Sequence, residues 1–504
     1  MASQTYEPHL VFIPLMAPGH IIPIIDIARL LAQRDVIVTI ATTPQNAARF
    51  ASVVNRATSS GLPIRFLQLE FPSEAGLPKG CENIDSMLSM DMLGNFITAI
   101  SMLQQPFEKS LMEMRPPPSC IVSDKFISWA ASTASQFRIP RILFDGMSCF
   151  TLLCNYNLHK SEVYKHVTET DPFVVPGLPH PVEFTKAQLP GYFNPGSNKK
   201  LNAMRQQVRD AEEGAYGVLV NTFEELEPEY VRAYREATGD KIWCIGPVSL
   251  CNKEISDKAE RGNKTCIDEN KCLNWLDSWS PNSVLYVCFG SINRLTPPQL
   301  IELGLALEAA NRPFIWVIRR ASKPEEMEKW LTEYGFEERV KGRGLLIKGW
   351  APQVLILSHQ AIGGFLTHCG WNSTLEGICA GVPMATWPLF GEQFYNEKLI
   401  VQVLEIGVRV GSPVITQLGD EEKSGVLVKE EDVKKAIEKL MDEGEEGKKR
   451  RERAQKFAAM AVKAVEKGGS SYLNITLLIQ DINRAQANQN QPKNRDKNIN
   501  PVFM

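Results

Sequence analysis

Residues 350–393 read WAPQVLILSHQAIGGFLTHCGWNSTLEGICAGVPMATWPLFGEQ. Trp350-Ala351-Pro352-Gln353 follows the apolar stretch Leu345-Leu346-Ile347, so the indole stands in a loop at a strand end, where a planar base can stack on it. Such stacking contributes on the order of 1–3 kcal/mol per base. Residues 363–374, GGFLTHCGWNST, read as strand, glycine turn and helix start. A helix N-terminus offers unpaired backbone N–H groups and the positive end of a dipole, which together suit a diphosphate. His368, Asn372 and Ser373 stand where side chains can add hydrogen bonds to phosphate oxygens. The segment closes on a second strand exit, PLFGEQ at 388–393, where Glu392 and Gln393 place a carboxylate and an amide side by side, suited to gripping adjacent sugar hydroxyls.

Each residue alone has a plainer reading. Ser373-Thr374-Leu375-Glu376 fits an S-x-x-E capping box. Trp350 fits a core indole, His368 a structural hydrogen bond, and Glu392 a carboxylate in the first turn of a helix. The combination is more specific than its parts. Over its whole length the segment resembles the plant secondary-product glycosyltransferase box of the family-1 UDP-glycosyltransferases. The resemblance implies that Trp350 stacks on uracil, that the Ala351 backbone contacts the base, and that Glu376 binds the ribose hydroxyls with Gln353 nearby. It implies that His368, Gly370, Asn372 and Ser373 hold the diphosphate and that Trp371, Glu392 and Gln393 contact the sugar. Many members carry Asp where this chain has Glu392, one methylene longer.

Composition agrees with a large enzyme. At 504 residues the chain exceeds a single core, so two domains are expected. With 55 Lys and Arg against 58 Asp and Glu there is no basic excess to hold a phosphate backbone, which argues against nucleic acid as partner. MASQTYEPH lacks a basic n-region, the apolar run after it is short and holds Pro14, and no apolar stretch approaches 18 residues. Neither a secretory signal nor a membrane span is expected. The 11 cysteines form no C-x-x-C pair in a chain that needs no staples, which favours reduced thiols in the cytoplasm and argues against structural zinc.

Outside the box, short apolar strands alternate with helical patterns, which indicates α/β organisation with parallel sheets. Residues 10–15, 36–41, 120–123 and 141–144 read as strands of a first half, with a helix at 21–32. Prolines at 173–181 and the loop through Pro195-Gly196 read as excursions over an acceptor pocket. A polar stretch at 251–271 reads as the linker between an N-terminal domain, 1–250, and a C-terminal domain, 272–470. The second half restarts at VLYVCFGS, 284–291, with Thr296 as N-cap and Pro297 at N1 of the next helix. A final helix at 471–484 is expected to pack back on the first domain, and the Asn- and Gln-rich 485–504 to be a disordered tail. Two such halves facing across a cleft resemble the GT-B architecture, two Rossmann-like doubly wound domains. The resemblance puts the acceptor on the first half, the donor on the second, and Ser291, otherwise a strand-end turn residue, near the phosphates.

Sugar transfer needs a base for the acceptor hydroxyl. His20, in Ala17-Pro18-Gly19-His20, lies between the first strand and first helix, at the sheet edge where such folds bind ligands. Its usual pKa near 6.5 leaves the imidazole neutral at cytosolic pH. It also matches the P-x-G-H of the family. Asp124 ends another strand of the same sheet, where it can be an N-cap or, as the resemblance implies, the carboxylate that orients His20. No G-x-G-x-x-G follows a strand, which argues against a dinucleotide oxidoreductase, and no D-x-D pair is present to hold a metal. The expectation is therefore an inverting, metal-free O-glucosyltransferase taking UDP-glucose and a hydrophobic plant acceptor such as a triterpenoid, steroid, flavonoid or other phenolic, working as a monomer. A binding protein that sequesters a hydrophobic molecule on the same fold is the alternative, but it needs neither His20–Asp124 nor Glu392–Gln393. Acceptor selection falls to loops such as 76–92, 145–157 and 184–195.

Overall fold

Runs such as LVFI at 10–13 and VLYVC at 284–288 are apolar throughout because the strands they form are covered by helices on both faces. The computed structural model describes residues 7–193, 199–319, 321–416 and 419–490. Its strands are β1 (His9–Ile13), β2 (Ile37–Thr42), β3 (Ile64–Gln68), β4 (Cys120–Asp124), β5 (Arg141–Asp145), β6 (Pro172–Val174), β7 (Glu183–Thr185), β8 (Gly217–Val220), β9 (Ile242–Cys244), β10 (Val284–Cys288), β11 (Phe314–Ile318), β12 (Gly344–Lys348), β13 (Ile362–Thr367), β14 (Met384–Thr386) and β15 (Gly407–Arg409). One sheet has seven strands in the order β3-β2-β1-β4-β5-β8-β9, the other six in the order β12-β11-β10-β13-β14-β15. Both are parallel, while β6 and β7 form a separate antiparallel hairpin whose Phe184 packs edge-on against Tyr395.

In each sheet the chain winds outward in one direction and then restarts in the other. The restart lies between β1 and β4 in the first sheet and between β10 and β13 in the second. At such a point neighbouring crossovers diverge and leave a crevice at the carboxyl ends of the strands, the general ligand position of this fold class.

The stretch 251–271 is more than a tether. It holds helix Ile255–Ala259 and the start of helix Glu269–Asp277, and Asn252 and Asp257 are buried in it. The last helix, Ser470–Asn490, buries Ile475, Leu478 and Ile482 in the core of the first sheet. It runs past the expected end at 484: residues 485–490, AQANQN, contain no breaker, and Pro492 stands two residues beyond. The rest of the expected tail, 491–504, and the loop at Pro195-Gly196 lie outside the described residues. Among the described residues no helix is long and apolar enough to cross a membrane, and all eleven cysteines are free thiols.

Candidate active site

The expected site residues converge on one cleft of about 500 Å³ between the carboxyl ends of the two sheets. His20, in the first turn of helix Pro18–Ala32, follows β1; Asp124 ends β4, the strand paired with β1 through Ile13 and Ser123. Across the cleft, Ser291 follows β10 and His368 follows β13, which again are paired neighbours. Both halves thus bring their polar residues to the restart of their own sheet.

His20 Nδ1 lies 2.7 Å from Asp124 Oδ2, although the two are 104 positions apart. Asp124 is 1 % exposed, and its second oxygen accepts the Phe126 N–H at 3.0 Å. It is not the N-cap of the next helix, which starts at Trp129 behind Ser128. With Nδ1–H donated to a carboxylate, the proton-free nitrogen is Nε2. Burial pulls the His20 pKa down, but Asp124, with Glu392 and Asp145 behind it, outweighs burial and holds it above the usual histidine value.

In the second half, helix Trp371–Cys379 starts behind Gly370, whose backbone is extended, and no side chain caps it. Ser373 is therefore inside the first turn and not the N-cap of an S-x-x-E box, and Glu376 faces elsewhere. The turn before the helix is tight: Cys369 has φ 65°, the left-handed region, and the Asn396 amide holds its carbonyl at 2.8 Å. Gly290 and Gly370 are needed for a close approach, since a Cβ on either would stand 2.5 Å from His368 Nε2. Burial lowers the His368 pKa to about 4, against a raising contact from the Cys288 backbone, so the ring is neutral.

The remaining box residues divide by what their side chains already hold. Gln353 Nε2 donates to Ser373 Oγ at 3.0 Å and to Glu376 Oε2 at 2.8 Å, which aims the Glu376 carboxylate. Asn372 reaches across the cleft and donates to the Gly19 carbonyl at 2.7 Å, so its side chain braces the loop that carries His20. The Trp371 indole is 2 % exposed and donates to the Asn221 carbonyl at 2.8 Å, which leaves only its backbone for a sugar. Gln393 Oε1 accepts from the Leu389 and Phe390 N–H groups at 2.8 and 3.0 Å, so the loop that carries Glu392 is tied to Gln393. Burial raises the Glu392 pKa, with His20 and Lys125 pulling the other way. Trp350 and Ala351 line the cleft, and the Arg319 guanidinium lies 4.5 Å from the Trp350 ring centroid.

Several lining residues were not singled out individually in the sequence, although Asp145 and Tyr192 lie in loops expected to shape the acceptor. Lys125 and Asp145 form an ion pair of 2.8 Å on the first-half wall, and Tyr192 donates to Asn155 at 2.6 Å beside them. Arg261, from the stretch expected to be a linker, reaches Glu376. Nothing in their local sequence marks them, because each acts through partners distant in the chain. Of the loops expected to shape an acceptor, 145–157 supplies Asp145 and Met147 and 184–195 supplies Pro190 and Tyr192, whereas 76–92 supplies none of the lining and only its neighbour Leu93 takes part.

Known proteins place this arrangement. The family model described as UDP-glucoronosyl and UDP-glucosyl transferase matches residues 268–441. UDP-glycosyltransferase 73C11 of Barbarea vulgaris is 54% identical over 97% of this chain and 99% of its own length. Among solved structures, Glycyrrhiza uralensis UGT73P12, complexed with glycyrrhetinic acid 3-O-monoglucuronide, superposes with a TM-score of 0.90 at 39% identity, covering 96% of this chain and 97% of that one. Phytolacca americana UGT2, complexed with UDP-2fluoro-glucose and pterostilbene, gives a TM-score of 0.74 at 28% identity over 94% of this chain and 100% of that one. With two parallel sheets facing across one cleft and similarity to these transferases over nearly the whole chain, the chain belongs to the plant family-1 UDP-glycosyltransferases and is a glycosyltransferase of the GT-B fold.

Proposed function

We propose that this glycosyltransferase is an inverting O-glucosyltransferase that uses UDP-glucose and a hydrophobic plant secondary metabolite or hormone-like aglycone, a triterpenoid, steroid, flavonoid or other phenolic. The observation that carries the reading is the His20–Asp124 hydrogen bond, which faces the same cleft as the donor box. In the reaction, His20 Nε2 takes the acceptor hydroxyl proton as that oxygen attacks C1 of the sugar. The bond from C1 to the UDP oxygen breaks with its electron pair leaving on UDP, so the configuration at C1 inverts. Asp124 stabilises the imidazolium that forms. The first-turn N–H groups of helix Trp371–Cys379, Ser291, Ser373 and neutral His368 stabilise the departing diphosphate without a metal. The proposal takes a single chain as the working unit and the cytoplasm as its location.

Trp350, whose indole lines the cleft, carries the base in this reading. Trp350→Ala is expected to weaken UDP binding by roughly 1–3 kcal/mol with the fold intact. Unchanged affinity in a calorimetric UDP titration would remove the stacking role.

Glucose is the proposed sugar because Gln393 occupies the box position where the family's glucose users carry Gln and its galactose users tend to carry His. The amide oxygen of Gln393 is spent on the Leu389–Phe390 backbone, so in this reading its N–H₂ end is the donor for adjacent equatorial hydroxyls. In competition among UDP-glucose, UDP-galactose and UDP-glucuronic acid, transfer should favour glucose, and Gln393→Ala should lose that transfer. Preference for either other donor refutes the choice while leaving the enzyme class untouched. A panel of aglycones scored by product mass tests the acceptor class.

A further inference from the structure

Glu376, the carboxylate that the proposed function assigns to the ribose hydroxyls, is held by a residue the donor box does not contain. Arg261 Nη1 donates to Glu376 Oε1 and Nη2 donates to Asp26 Oδ2, each at 2.5 Å. The three side chains are nearly closed to solvent, at 10%, 9% and 3% exposure. Asp26 lies on helix Pro18–Ala32, whose first turn carries His20, and Glu376 on helix Trp371–Cys379, whose first turn faces the diphosphate site. One guanidinium therefore joins the helix of the base to the helix of the donor.

The segment that carries Arg261 is fastened on both sides. Asn252 donates to Asp26 Oδ1 at 3.0 Å and accepts from Arg29 at 2.7 Å, and Asp257 pairs with Arg29 and Arg56. On the other side, the Cys266 N–H donates to the Trp350 carbonyl at 2.9 Å, and a Cβ on Gly262 would run into the Trp350 ring. Arg261 is thus delivered to Glu376 by a braced segment, in a fixed geometry that a flexible tether would not give.

The carboxylate geometry suits a vicinal diol. Arg261 uses one lone pair of Oε1 and Gln353 one of Oε2, so each oxygen keeps a second for an incoming O–H. Without the cation, a nearly buried Glu376 would lose both its charge partner and half of its orientation. We infer that Arg261 is a positioning residue for the ribose site, holding the Glu376 carboxylate aimed so that each of its oxygens can take one ribose hydroxyl, and tying that aim through Asp26 to the helix that bears His20. The inference rests on the reading of Glu376 as the ribose ligand.

The test compares UDP with 2′-deoxy-UDP by calorimetry on the full-length wild type, Arg261→Met, Arg261→Lys and Glu376→Gln. A hydrogen bond to a charged group predicts that the wild type favours UDP by about tenfold or more. Glu376→Gln and Arg261→Met should both bring that ratio close to one. Arg261→Lys keeps a cation but has a point charge in place of the fork, so it should lower the ratio by a smaller step, and it carries the test if Arg261→Met does not fold. A residue that only staples the halves together would weaken both nucleotides alike and leave the ratio at the wild-type value. That outcome in the Arg261 variants, with the ratio lost in Glu376→Gln, overturns the inference and leaves the ribose assignment standing. A wild-type ratio in Glu376→Gln overturns both.

Discussion

His20→Ala is expected to lose roughly 10²–10⁴-fold in transfer to an aliphatic alcohol, the range a positioned general base supplies, while UDP binds as tightly as before. The donor site should survive because it is built on the second sheet, and because the bond that Asn372 makes to the base loop goes to the Gly19 backbone, which the substitution leaves in place. The fold should survive as well. The His20 side chain is 29 % exposed, and the group it abandons is Asp124 Oδ2, an orphaned acceptor that costs about 1–3 kcal/mol. A phenol, which ionises more readily, should suffer less than an aliphatic alcohol, so the ratio of the two losses reports proton removal specifically. Product confirmed by mass at near wild-type rate from the alcohol would show that the base lies elsewhere.

The sheets and the donor box were legible in the sequence because each rests on local patterns. Parallel strands buried on both faces read as unbroken apolar runs, and the observed strands fall within one or two residues of 10–15, 36–41, 120–123 and 141–144. Which strands neighbour one another was not local. That β1 pairs with β4, so that His20 meets Asp124, followed from the resemblance and not from any spacing.

Side-chain direction and long-range partners were the parts that stayed hidden. Ser373-Thr374-Leu375-Glu376 satisfied the pattern of a capping box, yet the turn at Cys369 and Gly370 starts the helix three residues earlier and turns Glu376 toward Gln353 and Arg261. Trp371 was named for the sugar, but its indole is committed to Asn221, 150 positions away. Arg261 lies in a stretch so polar that composition reads it as solvated linker, and only its burial between Asp26 and Glu376 distinguishes it. Thr296 stands at its expected N-cap position with Pro297 behind it, although its hydroxyl makes no capping bond.

Asp124→Asn is expected to cost roughly 10²–10³-fold, less than loss of the imidazole and more than removal of a charge alone would suggest. The reason is the number of acceptors. Asp124 accepts His20 Nδ1–H with one oxygen and the Phe126 N–H with the other. Asparagine has one oxygen, and if it stays on the Phe126 backbone, the N–H₂ group faces His20. That makes Nδ1 the acceptor and moves the ring proton to Nε2, so the nitrogen that should take the acceptor proton already carries one. The pH dependence of kcat/KM separates this from simple misfolding. Activity requires neutral His20, so it rises with pH through the His20 pKa, and because Asp124 holds that pKa up against burial, the wild-type acid limb should lie above the usual histidine value. Removing the carboxylate lets burial dominate, so the small remaining activity of Asp124→Asn should persist to lower pH than that of the wild type. An acid limb that stays in place, or one that moves upward, would mean that Asp124 does not act on His20 and that the group titrating in the reaction is another residue.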